Sequence, residues 1–304
     1  MTDYTIHTLD LNFQGLSHTI ASYLIEGPEG LLLIETGPGS TLSTLKTELA
    51  AHGCQPEDIQ HVLVTHIHFD HAGASGWWAQ NGATVYAHHF GTRHLIDPSR
   101  LIASASRIYG DQMGPLWGDI LPAPAENVVA LYDGDMVEAA GLRLYAIETP
   151  GHARHHHVFV LGNIAFTGDT AGMKLGNLPL LDIPAPPPEF DLEAWQNSLT
   201  KLIGCNFDTI YPTHFGPVTN VREHLTAVKT LVADCANFVR EQMETGVERD
   251  TLIDRYTEWN HGRAWQVNFS DLEILKYDTT NPLYMSVDGI MRYWQKRWER
   301  ADAA

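Results

Sequence analysis

A chain of 304 residues, 44% hydrophobic and 18% charged, can bury a sizeable core, as one large α/β domain with an appendage or as two small domains. Its 19 basic residues against 37 acidic ones leave a formal net charge of −18, and the single cationic cluster, "QKRWER" near the C-terminus, is too small to make nucleic acid a partner. No run approaches the roughly 18 apolar residues of a membrane span, and "MTDYTIHTLD" has neither the basic nor the apolar region of a leader, so a cytoplasmic protein that does not engage membranes is expected.

The first third alternates strands and short helices. "TIASYLIEG" and "GLLLIETG" are rich in β-formers and are separated by Gly27-Pro28, a turn signal. In "STLSTLKTELAAHG", Ser40 is the cap candidate, Leu42, Leu45 and Leu49 make an apolar stripe, and Gly53 stops the helix. "HVLVT" is a short apolar strand, so the run "THIHFDH", residues 65–71, falls in the loop at its C-terminal end, where α/β folds place their chemistry. His88, His89 and His94 read as structural side chains of a helical stretch. Residues 92–124 then lose regular patterning, with Tyr109, Met113 and Trp117 among glycines and prolines; a lid and a surface excursion are both open readings.

Strands resume in "NVVALYDGD", "LRLYAIETPG", "HVFVLG" and "NIAFTGD". "FDLEAWQNSLTKLIG" is a capped helix, and "DTIYPTH" is the last strand. From residue 221 onward the spacing is helical, first through Val221, Leu225, Val228 and Leu231, later through Val287, Ile290, Trp294 and Trp298. The expected division is therefore a catalytic α/β domain over residues 1–220 and a helical extension over residues 221–304. Cys54, Cys205 and Cys235 are widely spaced without a C-x-x-C pair, and are expected to be buried thiols.

Five strand ends carry a ligand-type residue: Glu35; the cluster His66, His68, Asp70 and His71; His152; Asp169; and His214. One such coincidence means little, because a lone strand-end histidine is usually a capping or surface residue. Five in register point to metal. Imidazole nitrogens with carboxylate oxygens suit zinc, iron or manganese without any thiolate. Alternation in "HIHFDH" sends His66 and His68 the same way, toward one ion, while Asp70 and His71 can turn to a second. Two ions about 3.5–4 Å apart can share a bridging hydroxide and a bridging carboxylate.

The ordered set T-H-x-H-x-D-H (residues 65–71), "TPGH" (149–152), "GD" (168–169) and "PTH" (212–214) resembles the metallo-β-lactamase superfamily, most closely its glyoxalase II-like hydrolase branch. The resemblance implies a four-layer αβ/βα sandwich with its site at the edge between two sheets. It implies that His66, His68 and His152 hold a first metal and Asp70, His71 and His214 a second, with Asp169 bridging and Asp70 also orienting the hydroxide. One departure is Glu35, which stands where the family usually has Asp; the same supporting role behind the metal loop is expected from a longer side chain.

The implied reaction is hydrolysis of a small ester-like bond, in a thioester, a lactone or a related ester, by a hydroxide bridging two divalent ions, most simply zinc. The alternatives are a persulfide dioxygenase of the same fold using one iron, and a phosphodiesterase or nuclease of the superfamily. A small molecule is the expected partner, and a homo-oligomer is allowed. Weaker candidates for substrate contact are His156 (or its neighbour His155), Tyr211 as a phenol donor beside "PTH", Arg222 and Lys229 on the helical extension, and Tyr109 and Trp117 in the 92–124 excursion.

Overall fold

The computed structural model describes residues 4–302; the first three residues of the stretch read above as leaderless, and the last two of the helical extension, lie outside it. Among the described residues, eleven strands form two sheets. The first contains Thr5–Asp10 (β1), Ala21–Gly27 (β2), Gly30–Ile34 (β3), Ile59–Leu63 (β4), Thr84–His88 (β5) and Val128–Leu131 (β6), neighbours in that order. Its first pairings are antiparallel, and from β3 onward they are parallel. The second runs β11-β10-β9-β8-β7, from Thr209–Tyr211 (β11), Ile164–Phe166 (β10), His157–Leu161 (β9), Leu142–Glu148 (β8) and Met136–Ala139 (β7). Only β10 and β11 are parallel in it.

The two sheets stack face to face over Tyr23, Ile25, Leu32, Leu144, Phe159 and Phe166. The other face of the first sheet is covered by Leu42–Ala51 (α1), Phe69–Ala72 (α2) and Ser75–Gln80 (α3), through Leu45, Leu49 and Trp78 against Leu33, Val62 and Val85. The other face of the second is covered by Leu192–Cys205 (α7), Val221–Glu244 (α8), Arg249–Gln266 (α9) and Leu283–Asp302 (α11), with Asp271–Thr280 (α10) between the last two in the chain. Helix, sheet, sheet, helix is the four-layer order expected. A strand between two layers must be apolar on both faces, which is why Ala21–Ile25 are all buried. Strand β8 instead alternates, burying Leu142, Leu144 and Ala146 and exposing Arg143 and Tyr145, the pattern of a strand with one face on the core and one toward solvent.

Residues beyond 220 share one apolar core with the second sheet: Val228, Val232, Val287 and Trp294 pack in the same cluster as Val158, Ala165, Ile210 and Trp195. No helix among the described residues is long and apolar enough to cross a membrane.

Several local expectations are corrected. Helix α1 begins at Leu42, and Ser40 does not cap it: its Oγ donates to Leu116 O at 2.6 Å, tying the helix start to the excursion. The excursion itself is helical, as Thr92–Ile96 (α4), Ser99–Tyr109 (α5) and Met113–Trp117 (α6). His88 closes strand β5 and only His94 is in a helix. Cys205 is exposed, near the end of α7, while Cys54 and Cys235 are buried as expected. Strands β1 and β7 were not anticipated, since "TIHTLD" and "MVEA" are too polar or too short to signal a strand.

Helix α11 crosses the strap of residues 184–188 at Gly289. A methyl group there would stand 1.9 Å from Ala185 O and 2.8 Å from Pro186 C, both backbone atoms that cannot swing aside. Gly289→Ala therefore sets a gain of about 0.5–1 kcal/mol in helix propensity against an overpacking cost of about 1–3 kcal/mol. The cost is expected to win, lowering the melting temperature by a few degrees in a thermal denaturation scan; an equal or higher melting temperature would show that helix and strap slide apart freely.

Candidate metal centre

Seven of the predicted donors meet at one edge of the sandwich, each delivered by the end of a strand. His66 and His68 lie in the loop after β4, and Asp70 and His71 in the single turn α2. His152 follows β8, Asp169 sits in the short turn Gly168–Ala171 after β10, and His214 follows β11. Gly151, at φ +143°, lets the chain pass against Trp195 before His152: a Cβ there would lie 2.3 Å from the Trp195 backbone.

The donors form two close groups, His66 with His68 and His152, and Asp70 with His71 and His214, and a third set, His66, His71 and Asp169, lies across them. In the first, His68 Nδ1 is 2.9 Å from both His66 Nε2 and His152 Nε2, which are 3.2 Å from each other. In the second, His214 Nε2 and His71 Nε2 lie 3.4 and 3.6 Å from Asp70 Oδ2. Asp169 turns one oxygen to each: Oδ2 is 3.3 Å from His152 Nε2, and Oδ1 is 3.2 Å from His71 Nε2 and 3.5 Å from His214 Nε2. All seven are nearly or wholly buried except His68 and Asp70, which are half-buried.

The outward atoms fix what faces inward. His152 Nδ1 donates to Pro184 O at 2.7 Å and His214 Nδ1 to Thr19 O at 2.7 Å. Both acceptors are carbonyls, so those rings carry their proton outward and turn a lone pair into the site. His71 Nδ1 donates to Glu35 Oε1 at 3.2 Å. The Thr65 hydroxyl also donates to Glu35, which leaves its oxygen to accept from His66 Nδ1 at 3.1 Å. Thr213 Oγ1 and Thr65 N complete the shell of this wholly buried carboxylate. Glu35, at φ +65°, thus sets the ring orientation of one histidine in each group.

These residues fit divalent metal. His71 Nε2 and Asp169 Oδ1 approach to 3.2 Å, yet both are buried without a hydrogen-bond partner. With the His71 proton held outward at Nδ1 by Glu35, its Nε2 and the Asp169 oxygen face each other across a gap that a cation, proton or metal ion, must fill. The electrostatics agree. Burial, reinforced by the neighbouring imidazoles, pushes His66 well below the ordinary histidine range, and burial with His152 takes His68 down to about 3. Burial disfavours charge on His71 and His214 too, but Asp169 and Asp70 overcome it and favour a cation at the inward nitrogens of both rings, a proton in the metal-free protein and a metal ion in its place when one is bound. Against its own burial, His71 and His214 hold Asp70 at about 2. The first group therefore offers neutral nitrogens and the second ionised oxygens with nitrogens, the donor set of zinc, iron or manganese.

The weaker candidates separate. Tyr109 and Trp117, ring centroids 5.2 Å apart, line a cavity of about 350 Å³ that opens from His68, Asp70, His152 and Asp169. His155 lines it too, stacked at 6.1 Å on His66. His156 does not: it is wholly buried behind Asp169, its Nδ1 bonded to the Thr149 and Thr170 hydroxyls and its Nε2 accepting from Asp169 N at 3.2 Å. It holds the shared carboxylate's backbone and cannot touch substrate. Tyr211 packs in β11 against Phe166 and Tyr23, away from the cavity. Arg222 and Lys229 lie on α8, donating to Asn206 Oδ1 at 2.8 Å and to Thr200 Oγ1 at 2.7 Å, and do not line the cavity either. The apolar wall on α5, Leu101, Ala105 and Ile108, was missed, although its three-and-four spacing was a readable helical signal.

Glu35→Gln removes the buried charge and replaces an acceptor oxygen with a donor amide. Metal affinity is expected to fall about 10- to 100-fold, as read by competition with a chromogenic chelator. Unchanged affinity would mean that the rings hold their orientation without it.

The sequence pattern described as the metallo-beta-lactamase superfamily matches residues 18–214, a span that contains every donor above. A metallo-beta-lactamase fold-containing protein of Sulfurisphaera tokodaii is 27% identical over 56% of this chain and 66% of its own length. An atrochrysone carboxyl ACP thioesterase of Aspergillus fumigatus is 28% identical over 66% of this chain and 52% of its own, so the chain spans about half to two-thirds of these curated relatives. Among solved structures, a metallo-beta-lactamase family protein from Thermus thermophilus superposes with a TM-score of 0.65 at 23% identity, covering 97% of this chain and 93% of that one, a likeness of fold. With the motif span matched over about two-thirds of its length, this chain belongs to the metallo-beta-lactamase superfamily.

Proposed function

We propose that this chain is a dinuclear metal hydrolase acting on a small ester-like bond, with thioesters foremost and lactones and related esters in the same class. The carrying observation is that two complete donor groups share Asp169, one oxygen to each, at the end of an apolar cavity. His66, His68 and His152 would hold one ion and Asp70, His71 and His214 the other, zinc being the simplest choice for this donor set. Two divalent ions there would supply a hydroxide nucleophile near neutral pH and polarise the scissile carbonyl. Completeness of the Asp70 group supports two ions over the single iron of a dioxygenase.

The chain's own residues supply binding and orientation. Leu101, Ile108, Leu116 and Trp117 give an acyl group an apolar wall, and Asn281, Pro282 and Met285 from the C-terminal extension close the opposite side. An apolar wall suits an acyl group better than a phosphodiester backbone, and the net charge of −18 disfavours nucleic acid further. The Tyr109 phenol lies near enough to Asp70 for the carboxylate charge to add to burial in keeping it protonated. It is therefore a hydrogen-bond donor at neutral pH in the wall of the cavity, available to an oxygen on which charge develops. The curated relative named a thioesterase supports the substrate class. Three unpaired cysteines accord with a reducing, cytoplasmic setting.

Protein purified without added metal should carry two equivalents of zinc and turn over members of a panel of thioesters and lactones. One equivalent of iron with oxygen uptake on a persulfide, or turnover confined to phosphodiesters, would overturn the reading. In Asp169→Asn a neutral amide replaces the shared carboxylate, so one equivalent of metal should remain and kcat should fall by about 10²-fold or more; two retained equivalents would show that Asp169 is not shared. Tyr109→Phe should keep both metals and lose roughly tenfold or more in kcat with little change in KM. Wild-type kcat in that variant would remove the phenol from the reaction.

A further inference from the structure

The chain carries few cations, yet Arg100 and Arg154 both line one rim of the cavity, and Arg93 stands just behind it, its Nε donating to the lining residue His94 at Nε2, 3.2 Å away. Arg93 and His94 lie on α4, Arg100 at the start of α5, and Arg154 two residues after His152. His94 marks their convergence: it shares the lining with Arg100, Arg154 and Glu189 and accepts from Arg93, and burial first, then the charges of Arg93, Arg100 and Arg154, lower its pKa against the opposing pull of Glu189. Three chain segments therefore bring positive charge to one place that opens on the cavity through His94, Arg100 and Arg154.

The rim is partly ordered in advance. Arg154 Nε pairs with Glu189 Oε1 at 3.0 Å, and its guanidinium lies over the Phe90 ring at 5.3 Å. The other Glu189 oxygen is taken by His155 Nε2 at 3.1 Å. Asp97 accepts from Ser99 N. This leaves Arg93 and Arg100 without an ion-pair partner among the described residues. A solvated arginine needs no explanation. Two unpaired arginines beside a third, at the mouth of a cavity in a strongly acidic protein, raise the local potential against the field of the whole chain.

The rim also stands at a useful place along the cavity. The His155 ring, next in sequence to Arg154, is 5.5 Å from His68. A carbonyl at the donor groups thus sends one arm along the apolar wall of α5 and α6, and the other out past His155 toward the arginines. We propose that Arg100 and Arg154, with the charge of Arg93 behind them, form a subsite for an oxyanion group, phosphate or carboxylate, on the substrate arm that leaves the cavity, so that the preferred substrates pair an apolar acyl group with an anionic leaving arm. The guanidinium fork accepts either oxyanion in two-point contact. This rests on the ester-hydrolase reading for the position of the carbonyl.

The test measures binding separately from turnover. Three thioethers bearing the same alkyl group are compared by calorimetry: on coenzyme A (phosphates), on glutathione (carboxylates) and on neutral N-acetylcysteamine. The subsite predicts that at least one anionic thioether binds the wild-type protein about tenfold or more tighter than the neutral one. It predicts that this advantage weakens with added salt and collapses in Arg100→Gln/Arg154→Gln. The coenzyme A and glutathione arms distinguish phosphate from carboxylate. Equal affinity for all three, or an advantage that survives in the double variant, overturns the subsite. Hydrolysis of the matching thioesters reports on the reaction itself: absence of turnover with a retained anionic advantage would sink the hydrolase reading and leave the subsite standing. Both arginines are exposed, so the double variant is expected to fold, and Arg100→Lys/Arg154→Lys, keeping charge without the fork, should recover part of the advantage.

Discussion

Five imidazole nitrogens and two carboxylates held tip to tip inside a protein is an arrangement that repels itself, and the rest of the structure exists to maintain it. Each ring with an outward hydrogen bond to a carbonyl, a hydroxyl or Glu35 has its remaining lone pair aimed inward, so the rings cannot relieve one another by turning over. Buried without a cation, such a cluster is costly. With cations it becomes a set of strong, oriented bonds.

Rigid delivery explains the architecture around it. The donors come from the ends of β4, β8, β10 and β11 in two different sheets, and those sheets are locked by Tyr23, Phe159 and Phe166 between them. Tyr23 contributes twice: its ring packs in that core, and its hydroxyl donates to Pro212 O, two residues before His214. Trp195 acts similarly on the other side, packing on the turn that carries His152 and donating from its indole to Thr170 O beside Asp169. A core residue and a donor residue are here neighbours in one mechanical unit.

Specificity is built from the least regular parts. The wall of the cavity comes from α5 and α6, its floor from the proline strap at 184–188, and its far side from residues 279–285. The strap is held where Gly289 lets α11 touch its backbone and where Ser286 Oγ accepts from Ala185 N at 3.1 Å. The C-terminal helices therefore do two things at once: they cover the second sheet and bring an edge of the pocket to the metal donors.

The sequence by itself determined which ligand-type side chains stand at the strand ends and the architecture that gathers them. "THIHFDH", "TPGH", "GD" and "PTH" are local runs at strand ends, and both strand periodicity and metal-donor chemistry are properties of short segments. The family resemblance of those same runs supplied the four-layer order. Glu35 was legible as a supporting residue, but its partners Thr65, Thr213 and His71 come from three separate segments. Only the tertiary structure decided what the cavity is made of and which histidines face it. His155 and His156 are adjacent and chemically identical, and one lines the pocket while the other is sealed behind Asp169, because the turn before β9 sends their side chains to opposite sides. Arg222 and Lys229 were the cationic candidates in sequence, and the packing of α8 turns them away, whereas Arg100 and Arg154, which no motif singled out, line the cavity. Pocket walls are made by segments far apart in the chain, with no common period, so their meeting is written in packing and not in any window of sequence.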